Sequence, residues 1–179
     1  MPNPNVFLSY DAANARQCQT VMGYLKETGH PATCVPADYA VPDKSPQHIL
    51  QELSKTFYGP SDVVVCVVGP TTSTKAHVDV ELHHALLGKP GIRKGIVLLM
   101  MESPDVSLDK IRAGAPKAIQ AIPERLRKNL AYVELATFSR YRDLPVLCQT
   151  AWKKAKDPAV VADPGAAPAA LRKGAYHDQ

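Results

Sequence analysis

The chain lacks the features that direct a protein to a membrane or to a nucleic acid. No apolar run approaches the ~18 residues that cross a bilayer, and the opening residues, MPNPN, include neither a basic region nor the apolar segment of a signal peptide. The net charge is only +4, and no basic block is longer than the pairs Arg93-Lys94 and Lys153-Lys154. We therefore expect a cytoplasmic protein that binds neither membranes nor nucleic acids.

The sequence also lacks the short motifs of several common enzyme classes. Its four cysteines form no C-x-x-C pair, which fits a reducing cytoplasm. It has no G-x-S-x-G turn, no G-x-x-x-x-G-K-[ST] loop and no G-x-G-x-x-G turn. These absences argue against an activated serine or cysteine nucleophile and against the usual loops that hold nucleotide phosphates.

What the sequence does contain is a regular alternation of strand-like and helix-like segments. Apolar or β-branched runs predict five strands, at Val6 to Tyr10, Ala32 to Pro36, Val63 to Gly69, Gly95 to Met101 and Ala131 to Leu135. The third and fourth runs are continuously hydrophobic, as in strands covered on both faces. We predict an α/β fold with a five-stranded parallel sheet of flavodoxin-like order, 2-1-3-4-5, between two layers of helices.

The segments between these strands have helical character. Helices are predicted at Ala12 to Glu27, Pro46 to Tyr58, Ser73 to Leu87 and Asp143 to Lys156, with short helices and irregular chain across 102–129. Beyond residue 156 the composition changes to DPAVVADPGAAPAALRKGAYHDQ, which has few large apolar groups. We therefore expect one domain over residues 1–156 and a flexible, dispensable tail over 157–179.

A parallel sheet of this order places its cleft at the carboxyl ends of the first and third strands. Ser9, Tyr10 and Asp11 follow the first strand, and residues 69–74, which include Ser73, follow the third. These polar side chains are candidates for ligand binding. The alternative for Asp11 and Ser73 is that each caps the helix that follows it.

The predicted helix 73–87 carries Glu81 beside its apolar stripe, on one line with His77 and His84. Glu81 is therefore expected at the margin of the core, where its carboxylate could reach the cleft and where its replacement should hardly change stability. The alternative is a solvated glutamate paired with His77 or His84. The H-x-x-x-E-x-H-H spacing does not match the H-E-x-x-H order of a zinc protease, so we expect no metal site.

Several fragments resemble a known family when they are taken in order. They are VFLSYD at 6–11, PQHILQELSKTF at 46–57, SDVVVCVVGPTT at 61–72, VDVELHHAL at 78–86, GIVLL at 95–99 and IPERLRKNLAYVEL at 122–135. The set resembles TIR-like proteins related to the Thoeris antiphage-defence TIR subunit. This resemblance implies the flavodoxin-like TIR fold and a hydrolase (NADase) that cleaves NAD, as substrate and not as cofactor, to nicotinamide and a cyclic ADP-ribose type of signalling nucleotide.

The resemblance places the catalytic glutamate on Glu81. It also implies that Tyr10 stacks on a ring of the substrate, that His77 contacts the substrate, and that hydroxyl or phosphate groups are held by four further residues, Ser9, Asp11, Ser45 and Ser73. The segment 37–47 would flank the pocket. The sequence departs from the family pattern where His77 and Val80 replace the usual tryptophans.

Two other functions fit the same pattern of strands and helices. One is a non-catalytic TIR-like module that self-associates with another TIR domain. The other is a phospho-receiver, which is disfavoured because the third strand ends in Gly-Pro-Thr and not in an acceptor Asp. For the enzyme, we expect as partners a downstream effector that senses the nucleotide product and a phage protein that acts as trigger.

Overall fold

A five-stranded parallel sheet forms the centre of the computed structural model, which describes residues 2–41, 44–168, 171 and 174–178. The strands of the described chain are β1 (Val6–Tyr10), β2 (Ala32–Cys34), β3 (Ala40–Val41), β4 (Val63–Val68), β5 (Gly95–Met100), β6 (Glu134–Thr137) and β7 (Gly174–Ala175). The large sheet has the order β2-β1-β4-β5-β6, with every neighbouring pair parallel. The predicted order 2-1-3-4-5 numbered only the five strands of this sheet, so its strands 3, 4 and 5 are β4, β5 and β6 here. The structure confirms the predicted α/β fold and its flavodoxin-like strand order.

Helices cover both faces of this sheet. They are α1 (Ala15–Glu27), α2 (Pro46–Leu53), α3 (Ala76–Leu86), α4 (Leu108–Arg112), α5 (Pro116–Ala121), α6 (Glu124–Arg127) and α7 (Leu144–Lys156). Alternate residues of the central strands point to opposite faces. As a result, α1 and α7 share one apolar core with Leu8 and Val65, while α2 and α3 share the other with Phe7 and Cys66.

The predicted strand boundaries hold best where the chain is continuously apolar. All residues of β4 and β5 are buried, as expected for central strands. The fifth strand was predicted at Ala131 to Leu135, but β6 starts three residues later, at Glu134. The predicted boundaries of this strand are therefore wrong. Tyr132 and Val133 are buried in the preceding turn, where the Tyr132 hydroxyl donates to the Lys94 carbonyl at 2.6 Å. Their apolar character therefore reflects burial and not strand pairing.

The two predicted capping residues behave differently. The Asp11 carboxylate accepts a hydrogen bond from the Ala13 amide at 3.3 Å and caps the 3-10 turn that leads into α1. Ser73 caps nothing, because it lies within a separate 3-10 turn and α3 starts only after Lys75. The capping interpretation of Ser73 is therefore wrong.

The chain beyond α7 returns to the body of the domain. Leu171, Tyr176 and His177 are all buried, and β7 pairs antiparallel with β3. The tail that was expected to be flexible has few large side chains, but Leu171 and Tyr176 pack into the apolar core of the domain, whereas Val161 is exposed. Whether residues 1–156 fold alone stays a prediction.

Side chains of the domain hold the first part of the tail in place by hydrogen bonds to its backbone. The Arg93 guanidinium donates to the carbonyls of Ala155 at 3.1 Å and Asp157 at 2.8 Å, and also to that of Val160. Further along, Asn129 and Asp163 exchange two hydrogen bonds of 2.8 Å. Among the described residues, no helix combines the length and apolar character that a bilayer crossing needs.

Candidate functional site

The candidate site lies where the strand order reverses, at the carboxyl ends of β1 and β4. Ser9 and Tyr10 are the last residues of β1 and lie opposite Cys66 and Val67 of β4. Helix α3 packs against this part of the sheet and carries Glu81 in its middle. The fold thus brings the end of β1 and the glutamate of α3 to the same buried location, as parallel α/β sheets do for their ligand sites.

Glu81 is buried, with only 2% of its surface exposed. Its Oε1 accepts a hydrogen bond of 2.7 Å from the Tyr176 hydroxyl. Among the described residues, neither its Oε2 nor the nearby Ser9 Oγ has a partner in hydrogen-bond geometry. The sequence placed Glu81 at the margin of the core, and that expectation is wrong because the C-terminal segment covers the side chain.

Burial changes the acid strength of this carboxyl group. Loss of water around the carboxylate raises the pKa of Glu81 from 4.5 to about 8, although the hydroxyls of Ser9 and Tyr176 oppose the rise. At neutral pH the group is therefore mostly protonated while it is covered. A buried carboxyl with an orphaned oxygen is a common property of functional sites, where groups are held ready for a ligand.

His77 joins α3 to the end of β1. Its Nε2–H donates to the Tyr10 carbonyl at 2.9 Å, and its ring centroid lies 5.0 Å from those of both Tyr176 and His177. Because α3 places His77 one turn before Glu81, the imidazole forms part of the wall next to the carboxylate.

Tyr10 forms the opposite side of this cluster. Its hydroxyl donates to the Val35 carbonyl at 3.1 Å, and the His177 Nε2–H donates to the same carbonyl at 3.2 Å. The two rings lie against each other with centroids 4.5 Å apart. The aromatic face that the sequence assigned to a substrate ring is therefore occupied by His177.

Asp11 is buried directly after the carboxyl end of β1. It accepts a hydrogen bond from the Thr71 hydroxyl, and its Oδ1 lies 3.8 Å from the Lys75 ammonium. These contacts tie the loop after β1 to the loop after β4. The carboxylate of Asp11 is thus engaged in holding the two loops together.

The structure does not bring the two remaining predicted residues to Glu81. Ser45 is exposed and caps α2, where its Oγ accepts from the His48 amide at 3.3 Å. Ser73 lines a separate cavity of about 430 Å³, together with Lys75, Arg125 and others. Of the predicted loop 37–47, residues 42 and 43 lie outside the described residues, and β3 within it pairs with the tail.

Sequence reasoning missed Tyr176 and His177. The only signal was an aromatic residue next to a histidine in a segment otherwise rich in Ala and Pro. The alternative pairing of Glu81 with His84 is also not seen, because the His84 Nε2 lies 3.3 Å from the Ser54 hydroxyl and its ring stacks edge-on against Tyr58. In the described part of the chain, no three His, Cys, Asp or Glu residues are grouped so that they could hold a metal ion.

Comparison with known proteins found a similarity to solved structures. No family model and no curated protein matches the chain. Among solved structures it is similar to the TIR domains in a structure of the activated Roq1 resistosome directly recognizing the pathogen effector XopQ. The two are 18% identical over 85% of this chain and 83% of that chain, with a TM-score of 0.45. A likeness of this size carries no argument about activity.

Proposed function

We propose that this chain is a TIR-like enzyme that cleaves the nicotinamide-ribose bond of NAD and releases an ADP-ribose-derived signalling nucleotide in antiphage defence. The observation that carries the proposal is the buried Glu81 carboxyl at the β1–β4 strand ends, beside Ser9 and Tyr10. The sequence resemblance to TIR-like proteins names the substrate, and the geometry supplies a carboxylate in a suitable place.

One carboxylate is enough to assist the departure of nicotinamide, after which water or a nucleophilic atom of the same substrate forms the new bond to the ribose carbon. Nicotinamide leaves NAD as a neutral molecule, so no acid has to protonate it, and positive charge develops on the ribose in the transition state. A fixed carboxylate in a site of low polarity stabilises that charge far better than water does. Glu81 is the buried acidic group next to the β1 end that is not already engaged with a lysine, as Asp11 is.

The raised pKa of Glu81 is compatible with this role. Desolvation is its main cause, and a cationic nicotinamide ring placed nearby would favour the charged form of the carboxyl and lower the pKa again. Binding of NAD would thus generate the carboxylate that the chemistry needs. Tyr10 and His77 would offer ring faces to the base, and the Ser9 hydroxyl would bind a ribose hydroxyl.

A second function is favoured by one observation. Because Tyr176 covers Glu81 and only 2% of the glutamate is exposed, the same structure suits a non-catalytic module whose partner is another TIR-like domain. In that case the Tyr176–Glu81 pair would only stabilise the fold. A product assay separates the two functions.

The test is the substitution Glu81→Gln, assayed with NAD in the presence and absence of a phage trigger. Gln keeps the shape of the side chain and an acceptor for Tyr176 but loses the negative charge, so we expect nicotinamide release to fall by about a hundredfold or more. Released nicotinamide and the nucleotide product are identified by mass spectrometry.

The matched control is Glu124→Gln, which removes an exposed carboxylate from α6. This variant should cleave NAD at the wild-type rate. Undiminished turnover by a folded Glu81→Gln protein would exclude Glu81 as the catalytic group. Absence of NAD cleavage in all variants and conditions would favour the interaction module.

A further inference from the structure

The C-terminal residues 174–178 cover the candidate site. Tyr176 and His177 are themselves buried, and between them they contact Glu81, His77 and Tyr10. The covered residues belong to β1 and α3, and the Tyr176–Glu81 contact alone spans 95 positions of sequence. A substrate group that contacts the Glu81 Oε1 atom would have to displace the Tyr176 hydroxyl bound to it.

We propose that residues 174–178 form an autoinhibitory plug that must leave the site before a substrate can bind. The proposal rests on the proposed function in that it takes Glu81 as the reacting carboxylate. It adds that the resting protein is held inactive by its own C-terminal segment, and that activation consists of releasing that segment.

The chemistry of the plug matches the chemistry of a nucleotide ligand. Tyr176 offers a hydroxyl donor to Glu81 at 2.7 Å, as a ribose hydroxyl would. The imidazole of His177 lies against the Tyr10 ring at a tilt of 38°, with centroids 4.5 Å apart, and so takes the face that a flat base would use. An occupant that uses the same two recognition groups competes directly with the ligand.

The attachment of the plug is weak enough to be reversible. The β3–β7 sheet has only two residues in each strand, and an isolated two-stranded sheet of this size is marginal in water. In addition, the buried His177 Nδ1 and Glu81 Oε2 have no partner among the described residues. These orphaned groups disfavour the closed state because both regain water when the plug leaves.

The preceding part of the tail is anchored independently of the site. Arg93 holds the carbonyls of Asp157 and Val160, and Arg125 donates to those of Pro164 and Ala166. None of these contacts involves Glu81. The plug is therefore tethered close to the site after release, which favours its return.

A disulfide lock in the full chain tests the proposal. Ala40 and Ala175 are register partners, and the neighbouring Tyr176 amide bonds to the Tyr39 carbonyl, so 40 and 175 form the non-hydrogen-bonded type of pair. Such pairs have Cα atoms about 4.5 Å apart, within the range that a disulfide spans. The double variant Ala40→Cys/Ala175→Cys is oxidised, and the 40–175 bond is verified by peptide mapping.

Two readouts are taken, and the single variant Ala175→Cys is the control. The first is NAD cleavage, which we expect to fall at least tenfold on oxidation and to recover on reduction. The second does not depend on NAD: Ser9→Cys is added, and its alkylation by iodoacetamide is followed by mass spectrometry. The lock should slow alkylation of this residue at least tenfold, while the native Cys148, buried under the opposite face, reports any global unfolding.

The complementary change is Tyr176→Ala, which should raise both NAD cleavage and Ser9→Cys alkylation at least tenfold. Tyr176→Phe, which keeps the ring, should raise them less, and Val161→Ala, at an exposed tail position, should leave both unchanged. Measurable NAD cleavage that is equal in the locked and reduced proteins, or equal alkylation in the two, overturns the plug. Slowed alkylation without NAD cleavage in any variant supports the plug and contradicts the NAD function.

Discussion

Burial of Glu81 should make the stability of this protein depend on pH in a way that Glu81→Gln removes. The folded protein holds the Glu81 proton up to about pH 8, whereas the unfolded chain releases it near 4.5. Stability from this group is therefore complete below pH 4.5 and is lost progressively as the pH rises through 8. Above that pH the folded protein carries a negative charge that is removed from water, which is why the charged form is costly.

The size of the effect follows from the two pKa values. Each unit of difference is worth ~1.4 kcal/mol, and the values of about 8 and 4.5 give a total cost on the order of 5 kcal/mol at high pH. A neutral glutamine avoids this cost and still accepts the Tyr176 hydrogen bond through its carbonyl oxygen. Its amide can also donate to the Ser9 hydroxyl, which has no partner among the described residues.

The assay is urea unfolding of the wild type and Glu81→Gln between pH 5 and pH 9. We expect the stability advantage of the variant to grow by roughly 4 kcal/mol over this range. The control is Glu124→Gln. The pKa of the exposed Glu124 is lowered by its hydrogen bond and charge pairing with Lys128, so its replacement should give no advantage that grows with pH.

A difference between Glu81→Gln and wild type that stays constant from pH 5 to pH 9 would refute the reasoning. It would mean that Glu81 titrates like an exposed glutamate. That is the behaviour which the sequence alone predicted, when Glu81 was placed at the border of the apolar stripe.

Two further predictions concern the packing of the domain. Gly95→Ala would place a Cβ 2.5 Å from the Ala151 carbonyl carbon of α7, so we expect a loss of about 1–3 kcal/mol in chemical denaturation, whereas Gly23→Ala, with nothing within 4 Å, should be neutral or stabilising. Arg93→Ala leaves the Ala155 carbonyl of α7 and the tail carbonyls of Asp157 and Val160 without their charged donor and should lower stability by about 2–4 kcal/mol. An unchanged thermal midpoint for Arg93→Ala would show that the first part of the tail contributes nothing to stability.

The central sheet could be predicted from sequence because its signals are local. The runs at β4 and β5 are apolar without interruption, and such a pattern has few alternatives in a chain with helices between its strands. The β6 prediction failed because apolar residues mark burial as well as strand pairing, and Tyr132 is buried in a turn. Patterns of hydrophobicity thus located the core better than they located the ends of elements.

The candidate site could be predicted only in part, for a physical reason. Topology brings Ser9, Tyr10 and Glu81 to one sheet edge, and both the strand order and the helix period can be read from the sequence. The covering of Glu81 depends on a contact across 95 residues, for which no periodic pattern exists. Few large side chains in a segment predict that it forms no core of its own, but they do not exclude its packing into an existing one.

The aromatic groups around His77 show how the tail changes the chemistry of the site. The resembling family commonly has tryptophans where this chain has His77 and Val80, and here the rings that pack against His77 include those of Tyr176 and His177. If the tail leaves, these two rings leave with it, while His77 and Tyr10 stay fixed to each other through a hydrogen bond of 2.9 Å. In the closed arrangement the rings of Tyr176 and His177 therefore fill the place beside His77 and Tyr10 that a flat base would need.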